Sequence, residues 1–169
     1  MEPEIVARYG TPSRRTIYTR STAPVAPSSG NEFQPALVPG TYSTLNYVFT
    51  SNLLFPIVQV DAKSATFAFW DGKLVRCNFI SDFSSDSSNF DVEKIVPSLE
   101  ARQVTRESLT AALGPPTGRA VYPMIRSPGL EALSYAYMSF GSVRHTRIKA
   151  LSVIFDQNGH LVDWTLQTS

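Results

Sequence analysis

Two histidines, one cysteine and a scatter of aspartates are the residues of this chain best equipped for catalysis or metal binding. Acid–base and nucleophilic chemistry need such groups gathered together, with pKa values tuned by their neighbours. Here they are dispersed. His145 falls in an expected loop and His160 in an expected hairpin turn, where lone histidines are commonly solvated. Cys77 sits mid-strand among alternating apolar residues, which reads as a buried filler rather than a reactive thiol. As the only cysteine it can form no internal disulfide. Asp82 and Asp86 belong to a serine-rich stretch and read as solvated linker charges. Asp71, Asp156 and Asn158 stand at turns, where short polar side chains bond the backbone. Tyr18, Tyr47, Tyr122, Tyr135 and Tyr137 could line a ligand cavity, although aromatics on an inner strand face more commonly build core. No His/Cys/Asp/Glu grouping has metal-ligand spacing, and glycine-rich phosphate loops and nucleophile elbows are missing. The expectation is no catalytic residue, no metal, no cofactor and no small-molecule substrate.

Binding to another macromolecule remains. A net charge of +1 with interspersed signs leaves no basic stripe to neutralise a phosphate backbone, so nucleic acid is not expected as a partner. The longest apolar run, Leu53 to Val58, is interrupted by Pro56 and far too short to span a membrane. The first residues show neither the basic nor the apolar region of a secretion signal. A hydrophobic fraction of 43% is ample for a packed core, and a charged fraction of 17% is low but not membrane-like.

The elements that position these residues come from an internal repeat. Tyr9-Gly10-Thr11-Pro12-Ser13-Arg14-Arg15-Thr16-Ile17-Tyr18 is answered by Leu113-Gly114-Pro115-Pro116-Thr117-Gly118-Arg119-Ala120-Val121-Tyr122. Thr44 to Phe49 is then answered by Ala132 to Tyr137, and Ala65 to Val75 by Leu151 to Val162. Each copy reads as helix, Gly-Pro turn, strand, loop, strand, loop, strand, tight turn, strand. Gly10 and Gly114 fit the position just past a helix end, where positive φ is cheap only for glycine. Asp71-Gly72 and Asn158-Gly159 are strong hairpin signals. Thr105 is a plausible helix cap, with Glu107 favourable in the first turn.

Strand alternation assigns faces. Leu45, Tyr47, Phe49, Phe67, Phe69, Val75, Cys77 and Phe79 share one face in copy one, and Leu133, Tyr135, Tyr137, Leu151, Val153, Phe155, Val162, Trp164 and Leu166 share it in copy two. Thr44, Asn46, Thr66, Arg76, Asn78, Ser134, Ser152, Asp163 and Thr165 take the opposite, polar face. One apolar and one polar face predict antiparallel sheet covered by helices on one side. The expected class is α+β: two tandem helix-plus-antiparallel-sheet modules, residues 2–80 and 91–169, joined by a polar linker at 81–90. Copy one has room for a single helix where copy two has two, so its first helix is expected upstream. A long irregular loop is expected over 20–41.

Thr105-Arg106-Glu107-x-Leu109-x-x-x-Leu113-Gly114-x-Pro116, followed by Val153-x-Phe155-Asp156-x-x-Gly159-x-Leu161-Val162, resembles the BamE (SmpA/OmlA) lipoprotein family. The tandem arrangement also resembles the β-lactamase inhibitor protein. The resemblance implies a periplasmic module, anchored at the outer membrane through an upstream lipidated cysteine, whose partners are other envelope proteins. Trp70, Arg76 and Asp163, on the polar face, are the candidate partner contacts, because tryptophan and arginine are enriched at binding hot spots. The alternative is a small cone-like α+β enzyme or ligand-binding protein, with an aromatic pocket beneath the sheet and a carboxylate or histidine of shifted pKa inside it.

Overall fold

A computed structural model describes residues 1–21, 31–50, 62–81, 90–140 and 146–168. Helix α1 (Glu2–Tyr9) leads into strands β1 (Arg14–Arg20), β2 (Gly40–Thr50), β3 (Ala62–Trp70) and β4 (Lys73–Ser81). Helices α2 (Val92–Glu100) and α3 (Arg106–Leu113) then precede β5 (Gly118–Val121), β6 (Glu131–Phe140), β7 (Thr146–Phe155) and β8 (Leu161–Thr168). Local chemistry sets several of these boundaries. Thr105 and Ser108 form a reciprocal capping box at the start of α3. Gly10 and Gly114 end α1 and α3 at φ 80, each amide bonding the carbonyl four residues back. At the β3–β4 hairpin Asp71 and Gly72 take φ 46 and 75, the left-handed pair that such a turn needs.

The two-module α+β arrangement is overturned. All eight strands form one antiparallel sheet in sequence order, β1 to β8. Strand takes about half of the residues, and three short helices take under a fifth. The copies are fused edge to edge, because β4 pairs with β5 through Arg76–Ala120, Cys77–Arg119 and Asn78–Gly118. Alternation identifies strands but carries no information on which edges meet, so one wide sheet and two separate ones look alike in sequence. The polar linker expected at 81–90 lies largely outside the described residues, as do His145, Asp82, Asp86 and the apolar run at 53–58.

Helices cover the inner face of the sheet unequally. Over the second half, Ile95 and Leu99 of α2 and Leu109 of α3 join Leu133, Tyr135, Leu151, Val153, Phe155 and Leu161 in one buried cluster. Over the first half, Leu45, Tyr47, Ala65, Phe67 and Phe69 are met by Ile5 of α1, a helix with no buried residue. An ion-paired knot lies near the join: Glu131 on β6, 12% exposed, meets Arg119 of β5 and Arg106 of α3, the latter at 3.3 Å.

Two expected pairings on the inner face differ, and one expected inner residue, Val162, sits elsewhere. A register shift between Ala68 and Phe69 brings Leu74, not Val75, beside Phe69. The same shift between Ile154 and Phe155 brings Leu161, not Val162, beside Phe155. Each bulge adds one residue against its partner strand and reverses the alternation beyond it. Val162 instead packs with Ile125, Ala132 and Ile154 in a small second core on the outer face. That core is roofed by the segments before β2 and before β6, which bond each other through Ala36 N–H to Pro123 O and Arg126 N–H to Glu32 O.

Candidate functional site

On the outer face the strand registers align side chains into rows that cross the sheet. One row runs Asn46, Thr66, Asn78, Gly118, Ser134, Ser152 and Thr165, a polar band over seven strands. Thr66 donates to Asn46 at 2.9 Å, and the Ser134 and Ser152 hydroxyls lie 3.4 Å apart. The neighbouring row runs Thr44, Ala68, Arg76, Ala120, Ala132, Ile154 and Asp163. Alternation in the sequence had placed these polar residues on one face, and the registers bring them into line.

The three predicted partner contacts all belong to this outer face, but in different settings. Arg76 is exposed, with only alanines beside it on the adjoining strands. Trp70 is half-buried: its indole N–H donates to Pro39 O at 3.1 Å and its ring meets Tyr122 edge-on. A Cβ at Gly40 would run into that indole, so glycine there gives Trp70 its seat. Trp70 therefore fastens the roof to the sheet. Asp163 is half-buried on β8, its carboxylate bonded to the amide of Trp164. The three do not form one cluster.

The residues weighed for chemistry have structural partners. Asp156 accepts the amides of Asn158 and His160, which holds its carboxyl below the usual carboxylate range. His160 is exposed, with Nδ1 3.4 Å from the same carboxylate. Asp71 accepts the Thr41 amide at 2.8 Å. Tyr47 donates to Gly10 O and Tyr42 to Val38 O, and burial raises both phenol pKa values. Tyr135 lies in the inner core of the second half, and Tyr137 packs against it. Cys77 packs against the inner core of the first half. Among the described residues no three His, Cys, Asp or Glu groups gather as a metal site.

Sequence reasoning missed the most uneven feature of the surface. Among the side chains whose burial is described, every exposed large apolar one lies between Met1 and Ile80. On the inner face these include Phe49, 50% exposed, and Phe79, 42% exposed. By strand alignment their counterparts in the second half are Tyr137 and Leu166, both packed against the cluster that holds Ile95 and Leu99 of α2. The signal was present in sequence as the single helix of copy one.

No family model matches the chain, and neither a curated protein nor a solved structure gives a significant match.

Proposed function

We propose that this chain is a non-catalytic protein-binding module of the bacterial cell envelope, whose partner seats on the thinly covered inner face of the first half of the sheet. The carrying observation is the exposure of Phe49 and Phe79, where the second half of the same sheet packs Tyr137 and Leu166, both half-buried, against the cluster that includes Ile95 and Leu99 of α2. Scattered apolar residues are ordinary on protein surfaces, but grouped ones mark places where another molecule docks. The group here flanks Ala65, which pairs with Tyr47 and Phe79, and continues onto Tyr9 of α1. A partner presenting an apolar helical face would supply the cover that α2 supplies elsewhere. The envelope setting, periplasmic and attached to the outer membrane through a lipid anchor, rests on the motif resemblance to the BamE family, and other envelope proteins are the partners it brings.

Site-specific photo-crosslinking in cells tests the surface. A photoreactive residue at position 49 or 79 is expected to capture a discrete partner, and one at 102 or 167 is not. Equal capture at all four positions, or none, defeats the reading. Fractionation of cells producing the protein from its natural gene tests the compartment separately.

A further inference from the structure

A second place on the molecule, on the opposite face, has the makings of a ligand site. Where the two halves fuse, the outer face holds a pocket of about 220 Å³. Its polar lining includes Arg76, Asn78, Arg119, Ser134, Ser152 and Thr165, and its apolar wall includes Ile125 of the roof. That volume holds several waters, at roughly 30 Å³ each, or a short side chain.

Gly118 forms part of the floor, and it is glycine for space rather than for backbone conformation. Its φ is not positive, yet a Cβ built there would stand 2.6 Å from Asn78 Oδ1 and 3.3 Å from Ser134 Cβ. Any larger residue would push into the pocket. The charge is one-sided as well: the lining residues include no Asp or Glu but two arginines, Arg76 and Arg119, and Arg76 has alanines on both adjoining strands that leave its side chain room.

We infer that this pocket recognises a carboxylate group above Gly118, with the Arg76 guanidinium as its ionic partner and Asn78 and the Ser134 hydroxyl, one strand to either side of Gly118, as its neutral donors. Guanidinium and carboxylate match as a planar two-bond fork. The neutral donors suit a monoanion; a phosphate dianion would call for further positive charge, and Arg119 is already paired with Glu131. A glutamate side chain of a peptide and a short free acid both supply a carboxylate. This site is separate from the inner-face surface proposed above and stands or falls without it.

The test is a titration of the folded protein followed by backbone amide NMR. The probes are a blocked Ala-Glu-Ala peptide and butyrate, each beside its neutral twin, Ala-Gln-Ala and butyramide. A carboxylate probe is expected to shift the amides of Asn78, Gly118, Ser134 and Ser152 saturably, at least tenfold more tightly than its twin. The tighter of the two carboxylate probes assigns the source. Arg76 is exposed, so R76Q should leave the remaining spectrum unchanged while weakening binding about tenfold or more, and R76K should recover part of the loss. Equal response to acid and amide probes, or binding unchanged in R76Q, overturns the inference. Crosslinking at 49 and 79 reports on the other face, so failure of one leaves the other intact.

Discussion

Arg76 and Asp163 occupy the same cross-strand row of the outer face, with Ala120, Ala132 and Ile154 between them. Four strand spacings put them about 19 Å apart, so opposite charges in line do not make an ion pair. Their contributions should be independent. In urea denaturation the stability changes of R76A and D163A are expected to add in the double variant within about 0.5 kcal/mol. A larger coupling would mean that the row communicates across the small core at Ile154.

The unequal cover of the inner face sets a contrast between helices. Leu99 is fully buried beneath the second half, whereas α1 buries none of its residues. L99A should cost about 2–5 kcal/mol, the usual range for emptying a packed core position. I5A, at a half-buried position, should cost well under half as much. Equilibrium unfolding of the two variants compares them directly.

Glu131 ties α3 to the centre of the sheet through Arg106 and Arg119. E131Q keeps the shape and removes the charge, leaving two guanidiniums without their common partner. Glu131 is largely shielded but both arginines are partly exposed, so the loss should be about 2 kcal/mol, between the surface and the buried limits. The loss should shrink as salt screens the pair, which a denaturation series in sodium chloride would show.

Asp156 gives the pH dependence. The His160 amide, then the Asn158 amide and the His160 side chain, favour its charged form and hold its pKa below the usual value. A carboxyl depressed on folding contributes stability that is fully present above its unfolded pKa and disappears as pH falls through the folded one. The stability gap between the native protein and D156A should therefore be constant near neutrality. It should close in acid, below the ordinary carboxylate range. Carboxyl NMR of Asp156 against pH, with parallel denaturation of both proteins, checks the direction.

Much of the local structure could be read from residues, because the signals were local. Gly10, Gly114, Asp71-Gly72 and the Thr105 cap each require one conformation of a few neighbouring residues, and they take it. Alternation likewise sorted Asn46, Thr66, Asn78, Ser134, Ser152 and Thr165 onto one face. Features that depend on distant chain segments escaped. The β4–β5 pairing that fuses the halves rests on three residue pairs of a four-residue strand with no period to read. The bulges put Leu74 in the place expected for Val75 beside Phe69 and moved Val162 to the outer face, since one extra residue reverses parity without leaving a mark in composition. Trp70 looked free on alternation alone, and became a fastening only when Pro39 and Tyr122 arrived from either side.

A sheet that runs in order from β1 to β8 has β1 as a terminal strand, and that strand reads Arg-Arg-Thr-Ile-Tyr-Thr-Arg. Ile17 and Tyr18 are exposed there, which by itself invites another chain to add a strand. Arg14, Arg15 and Arg20 oppose that where the arriving strand is the β1 of a second copy, which brings like charges alongside, although Arg15 is already paired with Glu2. The arginines of β1 thus act as gatekeepers of that edge, setting like charges against the pairing of two copies β1 to β1.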